Sequence, residues 1–324
     1  MQASYTLVAD EFAAVNDLIH QQLISDVGLV EDISQYLVAS GGKRIRPLIS
    51  LLCAGAMGDA NNQRQVQLAT AVEFLHTATL LHDDVVDMST LRRGKPTANA
   101  NWGNASSVLV GDFVYSKAFQ LMVGIGNLQV MQILSDTTTK IAEGEVSQLM
   151  AIGDLNLDQN RYFEVIRNKT AQLFEGACQA AAVVANSGAA QLEQAGLYGR
   201  HLGLAFQLVD DYLDYAGDSA DLGKNVGDDL AEGKLTLPLI DALRITQQQS
   251  GDQHQLLTTA IVDKDISKIG RIIEITQSCG ALQLTLQHAQ AEADKAKAAI
   301  AALPDNEYQQ SLINICDFVL ARTS

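Results

Sequence analysis

The sequence predicts an all-α protein, and its composition supplies the first evidence. Only four prolines occur in 324 residues, whereas Ala, Leu and Gln, which favour helices, are abundant. Hydrophobic residues make up 47% of the chain, enough to bury a sizeable core. No proline- or serine-rich linker and no shift in composition divides the sequence. We therefore expect a single domain, residues 1–324.

Amphipathic and apolar stretches separated by glycine breaks place the helices. Two helices are expected between residues 5 and 39, with a break near residues 26–28. A third follows a glycine pair and extends to about Met57, with Pro47 in its first turn, where the missing N–H costs nothing. The segment 217–234, rich in Gly and Asp, is expected to be a polar loop. Further helices are expected at residues 63–88, 105–123, 127–150, 158–186, 190–216, 232–248, 266–278, 280–302 and 306–322.

An Asp-Asp-x-x-Asp motif occurs twice, each time within an apolar helical stretch. Its positions fall within roughly a 100° arc of a helix, so the three carboxylates share one face. Such anions repel one another and resist burial unless a cation lies among them, and oxygen ligands of this kind suit Mg²⁺. One copy alone could be a solvated helix face, but two copies favour a metal site. The aspartates are Asp83, Asp84 and Asp87 in the first copy and Asp210, Asp211 and Asp214 in the second.

The charge balance excludes some partners. A net charge of −16 argues against nucleic acid and against anionic membranes as binding partners. The four cysteines are scattered without a Cys-x-x-Cys spacing, as expected for reduced thiols. The N-terminus lacks the pattern of a signal peptide, and no apolar run reaches the roughly 18 residues that span a bilayer. The sequence therefore predicts a cytoplasmic protein without a transmembrane segment.

Basic residues cluster before and after the aspartates. Arginine and lysine bind phosphate oxygens, and a helix start that follows glycines also favours anions. No Ser/His/Asp or Cys/His arrangement indicates a covalent catalyst. Metal-binding acids beside phosphate-binding cations therefore indicate diphosphate chemistry. The basic residues are Lys43, Arg46, Arg92, Arg93, Lys169 (followed by Thr170), Lys224 and Lys234.

Together these motifs resemble the trans-isoprenyl diphosphate synthases, and most of all the long-chain members that make octaprenyl diphosphate. The resemblance covers residues 41 to 238 with the motifs in the family's order. It rests on Gly42-Lys43-Arg44-Ile45-Arg46-Pro47, on the run from His76 to Asp87 with Arg92-Arg93-Gly94, on Lys169-Thr170, on the run from Phe206 to Asp214, on Gly223 to Asp229, and on Glu232 to Pro238.

The resemblance implies a fold, a reaction and a role for each residue. The fold would be a helical bundle around a deep central cavity, and the family generally forms homodimers through helices near residues 100 to 150. The reaction would be Mg²⁺-dependent head-to-tail condensation of isopentenyl diphosphate onto an allylic diphosphate such as farnesyl diphosphate. The product would serve quinone side chains after transfer to a membrane.

Each role is implied position by position. Two to three Mg²⁺ ions would be held by the six aspartates of the two motifs, Asp83, Asp84, Asp87, Asp210, Asp211 and Asp214. The allylic diphosphate would contact Arg92, Lys169, Lys224 and Lys234. The isopentenyl diphosphate would contact Lys43, Arg46, His76 and Arg93. Thr170 and Gln207 would turn their oxygens toward the developing allylic cation.

Product length depends on the residues one helical turn before the first motif. Ala78 and Thr79 lie on the same side of the helix as Asp83 and are small enough for a growing chain to pass. Family members with short products typically carry an aromatic residue at this level. Phe119 and Met122 on the neighbouring helix are candidates for the floor of the cavity, although both could equally be ordinary core residues.

Four alternatives remain for comparison. A shorter-chain synthase would keep the chemistry and change the cavity. A class I terpene cyclase would not need the isopentenyl diphosphate residues, and a regulatory subunit would usually lack aspartates in one motif. Glu73-x-x-His76 fits half of a di-iron bundle motif, but no other histidine follows a glutamate at this spacing.

Overall fold

The structure, a computed structural model, describes residues 1–39, 41–216, 227–249 and 251–323 and confirms the all-α prediction. Apart from a two-stranded hairpin, β1 (Leu91–Arg92) and β2 (Lys95–Pro96), the regular elements in this part of the chain are helical. A π-turn (Arg167–Ala171) and 3₁₀ turns at Ile266–Lys268 and Ala321–Thr323 complete them. The α-helices are α1 (Gln2–Leu7), α2 (Ala9–Gln22), α3 (Gly28–Ala39), α4 (Ile45–Ala56), α5 (Gln63–Val86), α6 (Ala98–Trp102), α7 (Asn104–Ile125), α8 (Leu128–Met150), α9 (Gln159–Ile166), α10 (Gln172–Val184), α11 (Ala189–Ala216), α12 (Asp228–Glu232), α13 (Leu237–Gln249), α14 (Gly251–Asp263), α15 (Ile269–Ser278), α16 (Ala281–Ile300) and α17 (Glu307–Leu320).

Two compact units can be distinguished within the chain. The first comprises Met1–Thr138, Leu173–Gly199 and Ala296–Ile315, and the second comprises Thr139–Gln172, Arg200–Lys295 and Cys316–Ser324. Each unit is therefore assembled from segments that are distant in sequence. The expectation of one domain over residues 1–324 stays a prediction.

In the first unit, α5 is a core helix that packs against α4 and α7. Leu68, Phe74, Leu75 and Leu81 of α5 are each at most 1% exposed. Ser107 Oγ on α7 donates a hydrogen bond of 2.9 Å to the carbonyl oxygen of Leu81. Burying one face of α5 in this way fixes its last turn, which carries the first aspartate motif.

The end of α5 is set by backbone conformation. Met88 adopts φ 53°, a left-handed conformation that cannot continue a helix, so α5 ends two residues before the predicted boundary at 88. The hairpin that follows returns the chain toward the motif, and Asn99 Nδ2 on α6 donates to the carbonyl oxygen of Asp84 at 3.0 Å. The last turn of α5 is thus held on both sides.

The predicted helix at 158–186 forms with one interruption. A single π-turn separates α9 from α10 and contains both Lys169 and Thr170. Such turns are rare and often occur at functional sites. The second half of α11 carries the other aspartate motif.

The prediction of one helix over 232–248 is wrong. The chain forms the short α12 instead, which ends at Gly233 with φ 80°, and a new helix begins at Leu237 just before Pro238. Glycine in the left-handed conformation ends helices, and proline is tolerated in a first turn. Helix α14 was not expected from the sequence. Residues 217–226 of the predicted polar loop, including Lys224, lie outside the described residues.

One helix in the described part of the chain, α7, has the length and hydropathy of a membrane span. Its most apolar window has a mean hydropathy of 1.4, and 39% of that window is buried. A core helix of a protein without membrane spans satisfies the same test. The expectation that the chain lacks a transmembrane segment therefore stays a prediction.

Candidate active site

The first aspartate motif meets an arginine on the hairpin. Asp84 is only 3% exposed, and its Oδ1 accepts hydrogen bonds from Arg92 Nε at 2.9 Å and Nη2 at 2.7 Å. Asp83 and Asp87 are half-buried on the same turn. Arg92 was expected beside a substrate diphosphate, and the structure places it on the motif itself.

The residue before the motif is wedged against α7. His82 Nε2 lies 3.3 Å from the carbonyl oxygen of Val108 and 3.3 Å from Asp112 Oδ1. Gly111 leaves the room for this ring, because a Cβ at that position would lie 2.5 Å from Nε2. The contact helps to set the rotation of α5 at the motif.

A cationic cavity lies beside the first motif within the first unit. Its polar lining includes Arg44, Arg92, Arg93, Glu73 and His76. A cavity with this lining suits an anion with several oxygens. Lys43, predicted to bind the same anion, is exposed and does not line it, although its carbonyl oxygen accepts a hydrogen bond from the Tyr5 hydroxyl.

Arg46 and His76 form one pair beside this cavity. Arg46 Nη1 lies 3.2 Å from His76 Nε2, and the guanidinium stacks over Phe174 at 4.4 Å from the ring centroid. Burial and the charges of Arg46, Arg93 and Arg92 hold the pKa of His76 well below its usual range. Since arginine can only donate, the neutral imidazole accepts at Nε2 and carries its proton on Nδ1.

Glu73 introduces a negative charge into this cationic cavity. Burial raises the pKa of its carboxyl, while Arg46, Arg44 and Arg93 oppose that rise. Sequence reasoning noted Glu73 only in the di-iron pattern, and the structure gives that pattern no second half among the described residues.

In the second unit, a chain of hydrogen bonds joins the π-turn to the second aspartate motif. Thr170 Oγ1 donates to Gln207 Oε1 at 2.8 Å, and Gln207 Nε2 donates to Asp211 Oδ1 at 2.7 Å. The buried hydroxyl of Tyr162 donates to the other oxygen, Oδ2, of Asp211. These bonds fix the amide of Gln207 with its oxygen toward Thr170, and both residues line one cavity.

Asp211 is one of the predicted metal ligands, and that role stays a prediction. It is 2% exposed, and both of its carboxylate oxygens accept hydrogen bonds from protein side chains. Burial raises the pKa of Asp211 to about 7, with further contributions from Asp229 and Asp210. In this arrangement Asp211 supports Gln207.

Three further predicted residues can be located in the described part of the second unit. Lys169 and Lys234 line the same cavity as Thr170, and Lys234 Nζ pairs with Glu232 at 2.6 Å. Asp214 is fully buried, and its Oδ2 accepts from the backbone N–H of Asp229 at 3.3 Å.

Arg322 is a residue that sequence reasoning missed. Its Nη2 lies 2.6 Å from Asp210 Oδ1, and its guanidinium stacks over Phe206 at 4.8 Å from the ring centroid. It lies 112 positions after Asp210 in a segment without a motif, so no local pattern could have indicated the contact.

Comparison with known proteins shows the family to which the chain belongs. The polyprenyl synthetase family model matches residues 27–277. The chain belongs to the polyprenyl synthetase family. It is 48% identical to octaprenyl diphosphate synthase of Escherichia coli K12 over 319 residues, covering 98% of this chain and 97% of that protein. It is 44% identical to an all-trans-nonaprenyl-diphosphate synthase (geranyl-diphosphate specific) of Rhodobacter capsulatus, covering 97% and 96%.

Solved structures agree with this assignment. The polyprenyl synthase of Caulobacter crescentus, complexed with calcium and isoprenyl diphosphate, superimposes with a TM-score of 0.95 at 45% identity. The match covers 100% of this chain and 98% of that one. As a polyprenyl synthetase, the chain is a prenyltransferase of the trans-polyprenyl diphosphate synthase class.

The residues proposed to set product length in this polyprenyl synthetase lie in the first unit. Ala78 and Met122 are fully buried, and Thr79 Oγ1 donates to the carbonyl oxygen of His76 at 2.8 Å. The Phe119 ring lies 5.1 Å from that of Tyr115. None of the four lines either cavity described above, so their role stays a prediction.

The aspartates can be tested for their fit to Mg²⁺. They offer only oxygen donors, which hard divalent cations prefer. Among the described residues, no group of three or more acidic, histidine or cysteine side chains forms a complete metal site. Mg²⁺ normally binds proteins through one or two carboxylates together with waters and substrate phosphates. The residues therefore fit an ion that binds together with a diphosphate.

Proposed function

We propose that this polyprenyl synthetase is a Mg²⁺-dependent octaprenyl diphosphate synthase. It would extend an allylic diphosphate, such as farnesyl diphosphate, by head-to-tail addition of isopentenyl diphosphate and supply quinone side chains. The observation that carries the proposal is the 48% identity to the Escherichia coli octaprenyl diphosphate synthase across 98% of the chain. Both aspartate motifs are complete, which argues against a regulatory subunit.

The cationic cavity of the first unit is proposed to bind isopentenyl diphosphate. Arg46 and Arg93 would donate to its phosphate oxygens, and Lys43 would add charge from the exposed side. Neutral His76 would orient the Arg46 guanidinium toward the diphosphate, because its Nε2 accepts from Arg46 Nη1 at 3.2 Å. A cyclase would have no use for this second anion site.

The cavity of the second unit is proposed to bind the allylic diphosphate through Lys169 and Lys234. Arg92 and Lys224, the latter outside the described residues, would bind the same group. Asp83, Asp84, Asp87, Asp210 and Asp214 would hold Mg²⁺, which supplies positive charge that stabilises the leaving diphosphate.

The bonding changes follow from these positions. The allylic C–O bond breaks and its electron pair leaves with diphosphate, while the oxygens of Thr170 and Gln207 stabilise the cation. The double bond of isopentenyl diphosphate attacks the cation, and a proton is then lost to the released diphosphate. The hydrogen bond of 2.8 Å between Thr170 and Gln207 supports a shared role for these two oxygens.

Assembly and location are proposed with the function. Leu109, Val123 and Leu128 on α7 and the start of α8 are 68%, 65% and 87% exposed. An apolar surface of this kind would be covered in a homodimer. We propose a cytoplasmic homodimer whose product passes to a membrane.

An incorporation assay tests the function. Farnesyl diphosphate and labelled isopentenyl diphosphate are incubated with the protein and Mg²⁺, and the products are separated by length. A ladder that ends at the octaprenyl product and is abolished by EDTA supports the proposal. A ladder that stops at geranylgeranyl length would keep the chemistry and refute the long-chain assignment, and no incorporation would refute both.

Asp84→Ala tests the metal assignment in the same assay. Turnover should fall roughly a hundredfold or more, as when a single electrostatic partner of a transition state is removed. Asp136→Ala is the control, since Asp136 accepts only from the exposed Gln132 on the same helix in the described structure. An Asp84→Ala protein with full turnover would overturn the assignment.

A further inference from the structure

The ammonium group of Lys169 is held by two residues of α8. Lys169 Nζ donates to Glu145 Oε2 at 2.6 Å and to Gln148 Oε1 at 2.7 Å. Glu145 and Gln148 are three positions apart and therefore lie on one face of the helix. The lysine side chain is 19% exposed, so these bonds form in a partly desolvated site where they are stronger than in water.

The same face of α8 carries a glycine that the π-turn requires. A Cβ at Gly144 would lie 2.7 Å from the backbone nitrogen of Lys169 and 2.9 Å from Asn168 Cβ. Backbone atoms cannot turn aside as a flexible side chain can. Any larger residue at this position must therefore displace the π-turn that carries Lys169 and Thr170.

Counting donors shows what this arrangement leaves for a ligand. A lysine ammonium has three N–H donors. Two of them have partners in the described structure, Glu145 and Gln148, and the side chain also lines the cavity that contains Thr170 and Gln207. Two fixed acceptors limit the directions in which the third N–H can point. A freely rotating lysine would instead lose rotamer entropy each time it bound an anion.

We propose that Gly144, Glu145 and Gln148 form a positioning motif that aims Lys169 at the allylic diphosphate. The inference rests on the proposed function, because it names how one of its substrates is oriented. Gly144 provides the space for the π-turn, and the other two residues hold the ammonium with one N–H left for phosphate. Gly144 and Glu145 act through Lys169, whereas Gln148 holds the ammonium and also lines the same cavity.

Steady-state kinetics of single variants give the first test. Gln148→Leu and Glu145→Ala each remove one acceptor, and kcat/KM for farnesyl diphosphate should fall roughly ten- to a hundredfold, as expected for a hydrogen bond to a charged group. The KM for isopentenyl diphosphate should stay unchanged. Glu145→Gln keeps an acceptor oxygen and should stay within about threefold of the wild type. Glu143→Gln is the matched control, since Glu143 pairs with Lys140 on the exposed side of α8.

A double-mutant cycle separates positioning from general damage. In a Lys169→Gln background, Gln148→Leu should cause no further loss, because the group it positions is gone. Equal losses in both backgrounds would overturn the proposal, as would a Gln148→Leu enzyme with wild-type kinetics for both substrates.

Gly144→Ala should lower kcat/KM for farnesyl diphosphate at least as far as Gln148→Leu. If Gly144→Ala does not fold, the Gln148→Leu and Glu145→Ala variants, which change partly exposed side chains, still test the proposal. A wild-type protein that incorporates no isopentenyl diphosphate would refute the proposed function. An active wild type with an unaffected Gln148→Leu variant would refute the positioning motif alone.

Discussion

Asp211 shows how burial changes what a motif residue can do. A carboxyl whose pKa rises from 3.8 to about 7 on folding binds its proton more tightly in the native state. The native state thus holds more protons than the unfolded state between these values, and the free energy of unfolding falls as pH rises through this window. Below the unfolded pKa the contribution is fully present, and above about pH 7 it is lost.

Asp211→Asn should remove this dependence. The amide cannot ionise, so the free energy of unfolding of the variant should change less between pH 5 and pH 8 than that of the wild type, by about 3 kcal/mol. Urea denaturation in EDTA at a series of pH values measures the difference. Asp136→Asn, on an exposed part of α8, is the control. Parallel pH profiles for wild type and Asp211→Asn would contradict the shifted pKa.

At this scale, sequence reasoning found residues that belong to local patterns. The aspartates stand in a motif whose chemistry can be argued from spacing, whereas the roles of Thr170 and Gln207 are implied by the family resemblance and stay predictions. The residues that hold them were missed because their partners are distant in sequence. Tyr162 lies 49 positions before Asp211, and Glu145 lies 24 positions before Lys169. Such contacts are created by tertiary packing, which a single sequence does not display.

Helix packing around α11 depends on two glycines with different surroundings. A Cβ at Gly199 would lie 2.4 Å from the carbonyl oxygen of Phe174, a backbone atom of α10. A Cβ at Gly196, one turn earlier, would lie 2.6 Å from Nε2, 2.9 Å from Cγ and 3.0 Å from Cδ of Gln179, a side chain that can change rotamer. The two positions therefore separate a backbone contact from a side-chain contact on one helix.

Gly199→Ala should destabilise the protein, whereas Gly196→Ala should be neutral or stabilising. Both substitutions gain up to about 1 kcal/mol of helix propensity. Forcing α10 and α11 apart at Gly199 should cost about 1–3 kcal/mol or more, as overpacking does elsewhere. Urea denaturation of both variants measures the contrast. Equal stabilities would show that the two helices can separate without cost.

At the level of elements, composition and glycine breaks were sufficient for most helix bounds. They failed where backbone conformation depends on neighbours. The π-turn at Arg167–Ala171 has no sequence signature of its own, and Gly233 divides a segment whose apolar pattern is continuous. Helix α14 buries three residues, Leu257, Ala260 and Ile261, and so short an apolar pattern gives little signal.

For the whole molecule, the all-α class and the family could be predicted from the sequence, but product length is a property of an internal path. α5 and α7 pack together in the first unit, and Met122 is fully buried on α7. A growing chain advances by about one helical turn, 5.4 Å, for each added unit. A side chain that ends this path therefore sets how many additions occur.

Met122→Ala should lengthen the product of the polyprenyl synthetase by opening the end of that path. Thr79→Phe should shorten it, because the aromatic ring would close the path one turn from Asp83. Leu121→Ala, at the neighbouring buried position of α7, is the control. It creates a cavity of similar size, but the Leu121 side chain points in a different direction from that of Met122. Chromatography of dephosphorylated products measures the length, and thermal unfolding verifies that each variant is folded. An unchanged ladder for Met122→Ala would remove Met122 from the floor. Lengthening by Leu121→Ala as well would show that any loosening of α7 extends the product, and that no single residue forms the floor.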